Sequence, residues 1–339
     1  MLFSNFPKIV KRYLAHLPKD DYPVLDSFTF VSCWLGFSFD QSLDTMRSLF
    51  SRLNSRDISL DISTFSKASK HRNIDVFVKI FERLQADIKR QLINKNCLSL
   101  FPLDSTIVTL TSKLLWQQEY HQVKLFAGTD NERGIIDGVH IHFGQGHDSE
   151  HGDETIAATP QNGVAVMDRG FSSSERVQAL MKQENQYFVL RIKNNSTINM
   201  KEDGTYEVWS DQRKVQVRLV TFSDLETRTE FRFVTNLPES GELAYTNEEI
   251  GEIYRRRWQI ELLWKFLKMH LKLARIITKN TNGIKIQIYA CLICYLLLQL
   301  VEVPDEIGNK LLDKLRYLQA FMCEKISYIH WFKELVFNY

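Results

Sequence analysis

Apolar positions in the first part of the chain recur at the spacing of a helix face. Phe77, Ile80, Phe81, Leu84 and Ile88 follow one another at intervals of three or four residues, which is the period of one side of an α-helix. This pattern predicts that residues 1–95 are helical. No comparable run of alternating apolar and polar residues, the mark of a half-buried strand, precedes residue 95.

From Cys97 onward the pattern changes to short β-rich runs separated by polar or glycine-containing turns. Three runs are predicted to be consecutive strands: CLSLFPLDSTIVTL, YHQVKLFAG and GIIDGVHIHFG. Polar, helix-compatible HDSEHGDETIAATP follows, then a strand in GVAVMDRGF, a capped helix in SSERVQALMKQE and a strand in YFVLRIK. This order predicts an α/β fold with a mixed sheet flanked by helices.

The alternation of strand and helix breaks between residues 194 and 245. The runs YEVW, KVQVRLVTF and FRFVTNL predict antiparallel strands, so we expect a β-rich insertion here. Thr246 and Asn247 then provide capping chemistry for a helix that continues to about Leu273. The remainder, to Tyr339, is expected to form further helices.

Composition describes an ordinary folded chain. Of 339 residues 44% are hydrophobic and 25% charged, a composition that excludes a disordered or collagenous chain. The formal net charge of +2 is too small to argue for nucleic-acid binding. The five scattered cysteines are typical of a reducing cytosolic compartment. The apolar run at 286–301 is shorter than a bilayer requires and predicts a buried core helix, with Cys291 and Cys294 packed inside it.

Local charge is more informative than net charge. Two groups of basic residues lie in the N-terminal region. The first is Lys8, Lys11 and Arg12. The second lies in a serine-rich connection before the helix of Phe77 and consists of Lys67, Lys70, His71 and Arg72. A further concentration of basic residues follows residue 250. There one face of a helix is predicted to carry Tyr254, Arg257, Glu261, Lys265, Lys268 and Lys272. A single acid among cations suits a phosphate polyanion held beside a metal ion.

The segment YRRRWQIELLWKFLK resembles the catalytic helix of the "insertion sequence four" family of DDE transposases. That helix has Tyr, Arg, Glu and Lys in a fixed spacing, matched here by Tyr254, Arg257, Glu261 and Lys268. The family's first aspartate lies in a D-S-T context and its second in D-x-G-F/Y, matched by Asp104 in LDSTIV and Asp168 in MDRGF. We expect both aspartates at strand ends.

The resemblance covers roughly residues 95–275 and implies a ribonuclease H-like catalytic core. It implies that Asp104, Asp168 and Glu261 are catalytic and bind two Mg²⁺ ions, for which Mn²⁺ can substitute, with Asp104 bridging both. Tyr254, Arg257 and Lys268 would contact DNA phosphates, and the basic stripe adds Lys265 and Lys272. Some relatives cut through a DNA hairpin with a flipped base on an aromatic residue; Trp209 and Phe233 are conceivable receivers, without an assigned role.

A domain organisation follows from these expectations. Residues 1–95 would be a helical DNA-binding region, 96–193 with 246–275 the catalytic core, 194–245 the insertion, and 276–339 C-terminal helices for dimerisation. The expected partners are double-stranded DNA, as terminal inverted repeats and target, and a second copy of the chain. The resemblance places the protein in a prokaryotic cytoplasm, acting on the chromosome.

Three alternatives stand beside this hypothesis. Asp104 and Asp168 could be ordinary turn or capping residues. His140, His142, His147 and His151, interleaved with Asp148, Asp153 and Glu154, could belong to a zinc-dependent hydrolase, although the glycines between them make a compact three-ligand motif unexpected. The chain could also be an inactive or domesticated transposase derivative that binds DNA without cutting it.

Overall fold

The computed structural model describes residues 5–17, 22, 25–54, 60–91, 98–130, 134–202, 205–209, 213–223, 229–241 and 244–322. Cys97 and Cys323 lie outside these ranges. The chain divides into two compact units. We call residues 94–107 and 122–263 the sheet unit, and residues 1–93, 108–121 and 264–339 the helical unit.

The described helices and strands follow the order predicted for the central part of the chain. The helices are α1 (Asn5–Leu14), α2 (Ser27–Phe39), α3 (Met46–Asn54), α4 (Ile62–His71), α5 (Asp75–Gln91), α6 (Lys113–Trp116), α7 (Asp148–His151), α8 (Asp153–Ala157), α9 (Ser174–Met181), α10 (Asn247–Arg255), α11 (Trp258–His270), α12 (Thr281–Leu300) and α13 (Leu311–Met322). The strands are β1 (Ser99–Thr109), β2 (Gln122–Asp130), β3 (Ile135–Phe143), β4 (Gly163–Met167), β5 (Tyr187–Arg191), β6 (Ile198–Met200), β7 (Tyr206–Val208), β8 (Val215–Ser223) and β9 (Glu230–Thr235).

The sheet unit is built on one mixed sheet with strand order β3-β2-β1-β4-β5-β9-β8-β7-β6. β4 lies parallel to β1 and to β5, whereas β2 and β3 are antiparallel. All of GVAVM in β4 is buried, as a strand covered on both faces requires. Ala165 and Met167 pack on the side of α9, and Val164 and Val166 on the side of α10. The predicted mixed sheet flanked by helices is confirmed.

The strands of the predicted insertion continue the same sheet. β9 pairs antiparallel with β5, through Val189 and Thr235 among others, and β8 pairs with β9. The free edge of β5 explains this arrangement, because the unpaired backbone groups of an edge strand are satisfied by an added strand. The short strand β6 had no counterpart among the sequence predictions.

The long helix predicted from Thr246 to Leu273 is in fact two helices. The N-terminal capping is as expected, since Thr246 and Glu249 form a reciprocal capping box. The helix breaks at Arg256 and Arg257, between α10 and α11. α11 ends at His270, and Lys272 has a positive φ of 61°, a left-handed conformation that a helix cannot continue through.

The helical unit is organised around α12. This helix is buried on all sides and packs against α1, α2, α4, α5 and α13, so the predicted buried core helix is confirmed. By length and composition alone it could cross a membrane, but 78% of its most apolar window is buried inside the protein. The helices predicted as separate N-terminal and C-terminal regions therefore share one core.

The apolar face predicted for α5 is buried as expected, with Phe77, Ile80 and Leu84 inside the core. The serine-rich connection before it, by contrast, forms helix α4. Arg72, at the end of that helix, stacks over the ring of Tyr22 at 3.9 Å and donates a hydrogen bond to the carbonyl of Leu25. Its guanidinium is therefore engaged within the helical unit.

Candidate active site

Asp104 and Asp168 lie on neighbouring parallel strands. The pairing of β1 with β4 runs from Ser99 opposite Gly163 to Pro102 opposite Val166, and the same register carried two residues further sets Asp104 level with Asp168. Asp168 follows the last residue of β4, as predicted. Asp104 is not at a strand end: β1 continues to Thr109 because it has a second neighbour, β2, beyond its pairing with β4.

Asp168 is held in place by the turn that follows it. Its Oδ1 accepts a hydrogen bond from the backbone N–H of Gly170 at 2.6 Å, so Asp168 caps a short 3-10 turn. One carboxylate oxygen is thereby fixed by the backbone. The family-like context D-x-G-F thus has a local structural reason, since a Cβ at residue 170 would lie only 2.9 Å from the same Oδ1 of Asp168.

Glu261 lies in the first turn of α11, close enough for its charge to raise the pKa of Asp104. The pKa of Asp104 is raised from 3.8 to about 7, chiefly by burial; the Ser105 backbone N–H and Arg257 lower it, and the charges of Asp168 and Glu261 raise it. Repulsion of this kind requires carboxylates that are close together. The structure therefore brings together the three acids that the sequence predicted.

This set of side chains suits a hard divalent cation. Asp104, Asp168 and Glu261 are all partly exposed in the sheet unit, and Arg257 offsets only part of the effect that burial and the neighbouring carboxylates have on the pKa of Asp104. A divalent ion would offset the same repulsion, and carboxylate oxygens are the ligands that Mg²⁺ and Mn²⁺ prefer. The residues present fit such an ion.

Arg257 and Tyr254 lie beside the acids. Arg257 donates from Nη2 to Oε1 of Glu261 and has its guanidinium 5.6 Å from the centre of the Tyr254 ring. Its Nε is buried and has no acceptor among the described residues. Tyr254 is hydrogen bonded to Arg191 and packs on Phe233, with 4.5 Å between ring centres. A cationic and aromatic wall therefore borders the carboxylates.

The aromatic side of this wall opens into a cavity of about 720 Å³. Its lining includes the aromatic residues Phe222, Phe231, Phe233, Tyr254 and Trp258, together with Arg255 and Arg257. The Trp258 side chain at the start of α11 is 58% exposed. Of the two aromatic residues considered from sequence, Phe233 lines this cavity, whereas Trp209 packs against the core cluster that contains Met167.

The three lysines of the predicted stripe differ. Lys265 is exposed and Lys268 is partly exposed on α11. Lys272 is buried, and its Nζ donates to the carbonyls of Asp40 and Leu43 in the helical unit. The prediction that Lys272 contacts DNA phosphate is wrong, because the helix ends before this residue and its ammonium group points into the protein.

Three residues near the acids were not connected with them by sequence. Asp148 Oδ1 accepts from Ser105 Oγ at 2.6 Å and pairs with Lys124 Nζ at 2.8 Å. A methyl group at Gly170 would lie 2.8 Å from Asp148 Oδ2 and 2.9 Å from Asp168 Oδ1, so the two carboxylates flank that glycine. Asp148 is thus a fourth acid next to the site. Because Asp148 is far from Asp104 and Asp168 along the chain, no local sequence pattern indicated that it would lie near them.

The histidines also behave differently from expectation. His140, His142 and His151 each offer a ring nitrogen, and the three nitrogens lie within 4.8 Å of one another. The rings of His142 and His151 are stacked with their centres 4.0 Å apart. Burial, followed by the charge of His142, lowers the pKa of His151. The prediction that no compact three-ligand group would form is wrong, because β3 and α7 approach each other in the fold.

Comparison with known proteins identifies relatives of this chain. Residues 95–297 match the family described as the transposase DDE domain. A Synechocystis sp. protein described as a transposase for insertion sequence element IS4SA is 57% identical over 337 residues, covering 98% of this chain and 99% of the relative. A Geobacillus stearothermophilus protein described as a transposase for element IS5377 is 27% identical, covering 76% of this chain and 72% of the relative.

Among solved structures, a piggyBac transposase synaptic complex with hairpin DNA has a similar arrangement, with a TM-score of 0.47 and 10% sequence identity. The alignment covers 99% of this chain and 77% of that chain.

Proposed function

The chain belongs to the DDE transposase family, and from this premise we propose that Asp104, Asp168 and Glu261 are its catalytic acids. The protein is a DNA transposase of an insertion sequence, an enzyme that cuts and joins DNA strands. The observation that supports the assignment most directly is the raised pKa of Asp104, to which both Asp168 and Glu261 contribute. The turn-capping role that Asp168 has through the Gly170 N–H is compatible with this assignment.

The family implies a divalent metal, and the proposed ligands are these three carboxylates. We propose that these three carboxylates would hold two Mg²⁺ ions, replaceable by Mn²⁺. When bound, the ions would activate the attacking oxygen and neutralise charge on the leaving oxygen. The protein's own part is to hold the carboxylates together at the cost of mutual repulsion and to keep Asp168 oriented by the Gly170 N–H.

Positioning of the DNA backbone falls to the cationic wall. Arg257 carries a planar guanidinium beside the acids, and such a group suits the oxygens of a phosphate. Tyr254 holds Arg257 against its ring and adds a hydroxyl group. On α11, Lys265 and Lys268 add positive charge for neighbouring phosphates. Asp148 and Ser105 orient the segment next to Asp104 through their hydrogen bond.

The aromatic cavity fits a flipped nucleobase. Some relatives that the sequence resembles cut through a hairpin with a base turned out of the helix, and such a base stacks on aromatic faces. Trp258, which lines the cavity together with Arg257, Phe231 and Phe233, would receive it. We therefore propose Trp258, rather than Trp209 or Phe233, as the residue on which the flipped base stacks.

The remaining assignments are also proposals. Double-stranded DNA would be bound as terminal inverted repeats and as target, with residues 1–95 contributing contacts from Lys11, Arg12, Lys67 and Lys70. Two copies of the chain would act together, paired through residues 276–339, because the two ends of an element must be cut in coordination. The protein would act in a prokaryotic cytoplasm on the chromosome.

The decisive experiment compares cleavage and binding in the same variants. The substrate is DNA carrying the element's own ends, with Mg²⁺, and the proteins are the wild type, Asp104→Ala, Glu261→Ala and, as a control, Glu184→Ala at an exposed position of the sheet unit. The first two should lose cleavage by about 100-fold or more and keep DNA binding. Equal cleavage by all four would disprove the assignment. An inactive wild type that still binds the ends would support the domesticated alternative.

A further inference from the structure

We propose that His140, His142 and His151 form a binding site for one Zn²⁺ ion, separate in chemistry from the carboxylate site. The three ring nitrogens already lie within 4.8 Å of one another. His140 and His142 are on the same face of β3, two residues apart, and His151 is the last residue of α7. The sheet unit thus supplies two ligands from a strand and one from a helix packed near it.

Imidazole nitrogen selects a different class of metal from carboxylate oxygen. Three histidines with an open fourth position are a common ligand set for Zn²⁺, whereas Mg²⁺ prefers oxygen. The fourth position falls to water or to Glu150, whose carboxylate is 4.0 Å from His151 Nε2. The chain therefore offers a nitrogen site and an oxygen site that would take different ions from the same solution.

A hydrogen bond outside the group fixes the ring of His140. Its Nδ1 lies 2.5 Å from Oε2 of Glu154, so a proton on Nδ1 is shared with the carboxylate and Nε2 keeps its lone pair. Histidines that bind metals are commonly oriented in this way by a carboxylate on the other ring nitrogen. Glu154 is otherwise exposed, at 73% of its side chain, and solvation alone would not hold it there.

The backbone at Gly146 lies close to two of the histidine rings. A side chain at Gly146 would bring its Cβ to 2.6 Å from His151 Nε2 and 3.2 Å from His142 Nε2. The two nitrogens therefore face the same glycine. The nearby ammonium of Lys124 is neutralised by Asp148 at 2.8 Å, which limits its repulsion of a cation.

The location gives the site a structural role. The ion would tie the segment 144–152 to β3, and this segment carries Asp148, which is hydrogen bonded to Ser105 next to Asp104. A zinc ion at the histidines would therefore stabilise the position of Asp148. Since the acids of the transposase reaction are not ligands of this ion, the proposal does not depend on their assignment.

The test is a zinc titration of the full chain in which the carboxylate site has been removed. In an Asp104→Ala, Glu261→Ala background, competition with a chromophoric chelator should show one Zn²⁺ per chain. Adding His142→Ala or His151→Ala should weaken binding by at least about 100-fold, whereas His147→Ala, a histidine outside the group, should not change it. Co²⁺ in place of zinc should give the visible absorption of a four-coordinate site with nitrogen ligands.

A variant at an exposed residue shows whether zinc binding can be weakened without loss of folding. Glu154→Gln changes an exposed side chain and should weaken zinc binding by about 10-fold to 100-fold while leaving the metal-free melting temperature unchanged. The proposal fails if the background protein binds no zinc. It also fails if the His142→Ala, His151→Ala and His147→Ala proteins bind it equally well.

Discussion

Arg257, in the break before α11, and Glu261, in the first turn of α11, form an ion pair in which Nη2 of the arginine donates to Oε1 of the glutamate. The arginine side chain is 15% exposed and the glutamate 32%, so the pair is partly shielded from water. Arg257 also lowers the pKa of Asp104. Before any metal binds, this arginine supplies compensating charge to the three acids.

Replacing Arg257 should therefore separate metal binding from catalysis. Arg257→Ala removes a positive charge from beside the carboxylates, so the affinity for Mn²⁺ in the absence of DNA should rise several-fold. Cleavage should fall by about 10-fold to 100-fold, because a phosphate contact is lost. Electron paramagnetic resonance of free Mn²⁺ and a cleavage assay measure the two effects. Arg255→Ala, which removes an exposed pair with Glu252, is the control, and a parallel fall in both quantities would contradict the prediction.

Lys272 and Lys265 should respond in opposite ways to substitution. Lys272→Met leaves the carbonyls of Asp40 and Leu43 without their donor inside the helical unit, which should cost on the order of 2 to 4 kcal/mol of unfolding free energy. Lys265→Met, on the exposed surface, should leave the melting temperature unchanged and reduce the salt dependence of DNA binding. Urea denaturation and binding at several salt concentrations distinguish them. Equal stability of the two variants would show that the buried ammonium is unimportant.

The pKa of Asp104 predicts a pH dependence of stability in the metal-free protein. Its pKa is raised from 3.8 in the unfolded chain to about 7 in the fold, so the folded state holds the proton more tightly. The contribution to stability is fully present below the lower value and is lost as pH rises through the higher one. Asp104→Asn, which cannot ionise, should become increasingly more stable than the wild type over this interval.

Melting temperatures measured in EDTA from acid to neutral pH test this expectation. Asp305→Asn, in the helical unit at an exposed position, should follow the wild-type curve. Parallel curves for Asp104→Asn and the wild type would show that burial and the neighbouring carboxylates do not perturb Asp104.

Trp258 should matter for a turned-out base more than for binding. In Trp258→Ala the exposed indole at the aromatic cavity is removed, so DNA ends should still bind while strand processing slows by about 10-fold to 100-fold. 2-Aminopurine would be placed at successive positions near the cleaved end. At one position its fluorescence should be quenched by stacking on the indole of the wild type and should be brighter with Trp258→Ala, where the base is unstacked. Trp116→Ala, an exposed tryptophan of the helical unit, is the control. No position-dependent change in the wild type would exclude a base receptor here.

The sequence by itself predicted most of the elements of the sheet unit and the three acids. Apolar runs and the spacing of apolar residues located β1 to β5 and α5. A strand or helix must bury one face, so its apolar residues recur with the period of that element. The spacing of Tyr254, Arg257, Glu261 and Lys268 identified the family, since these residues occupy successive turns near one helix. Their chemistry could be read without coordinates.

Only the tertiary structure decided which distant residues meet. The approach of Asp148 to Ser105, the grouping of His140 and His142 with His151, and the burial of Lys272 depend on how elements far apart in the chain pack against each other, and local periodicity carries no information on this. The break at Arg257 and the extension of the sheet by β9 have the same origin. A helix end and an edge strand are fixed by what surrounds them, which the residues at those positions do not encode alone.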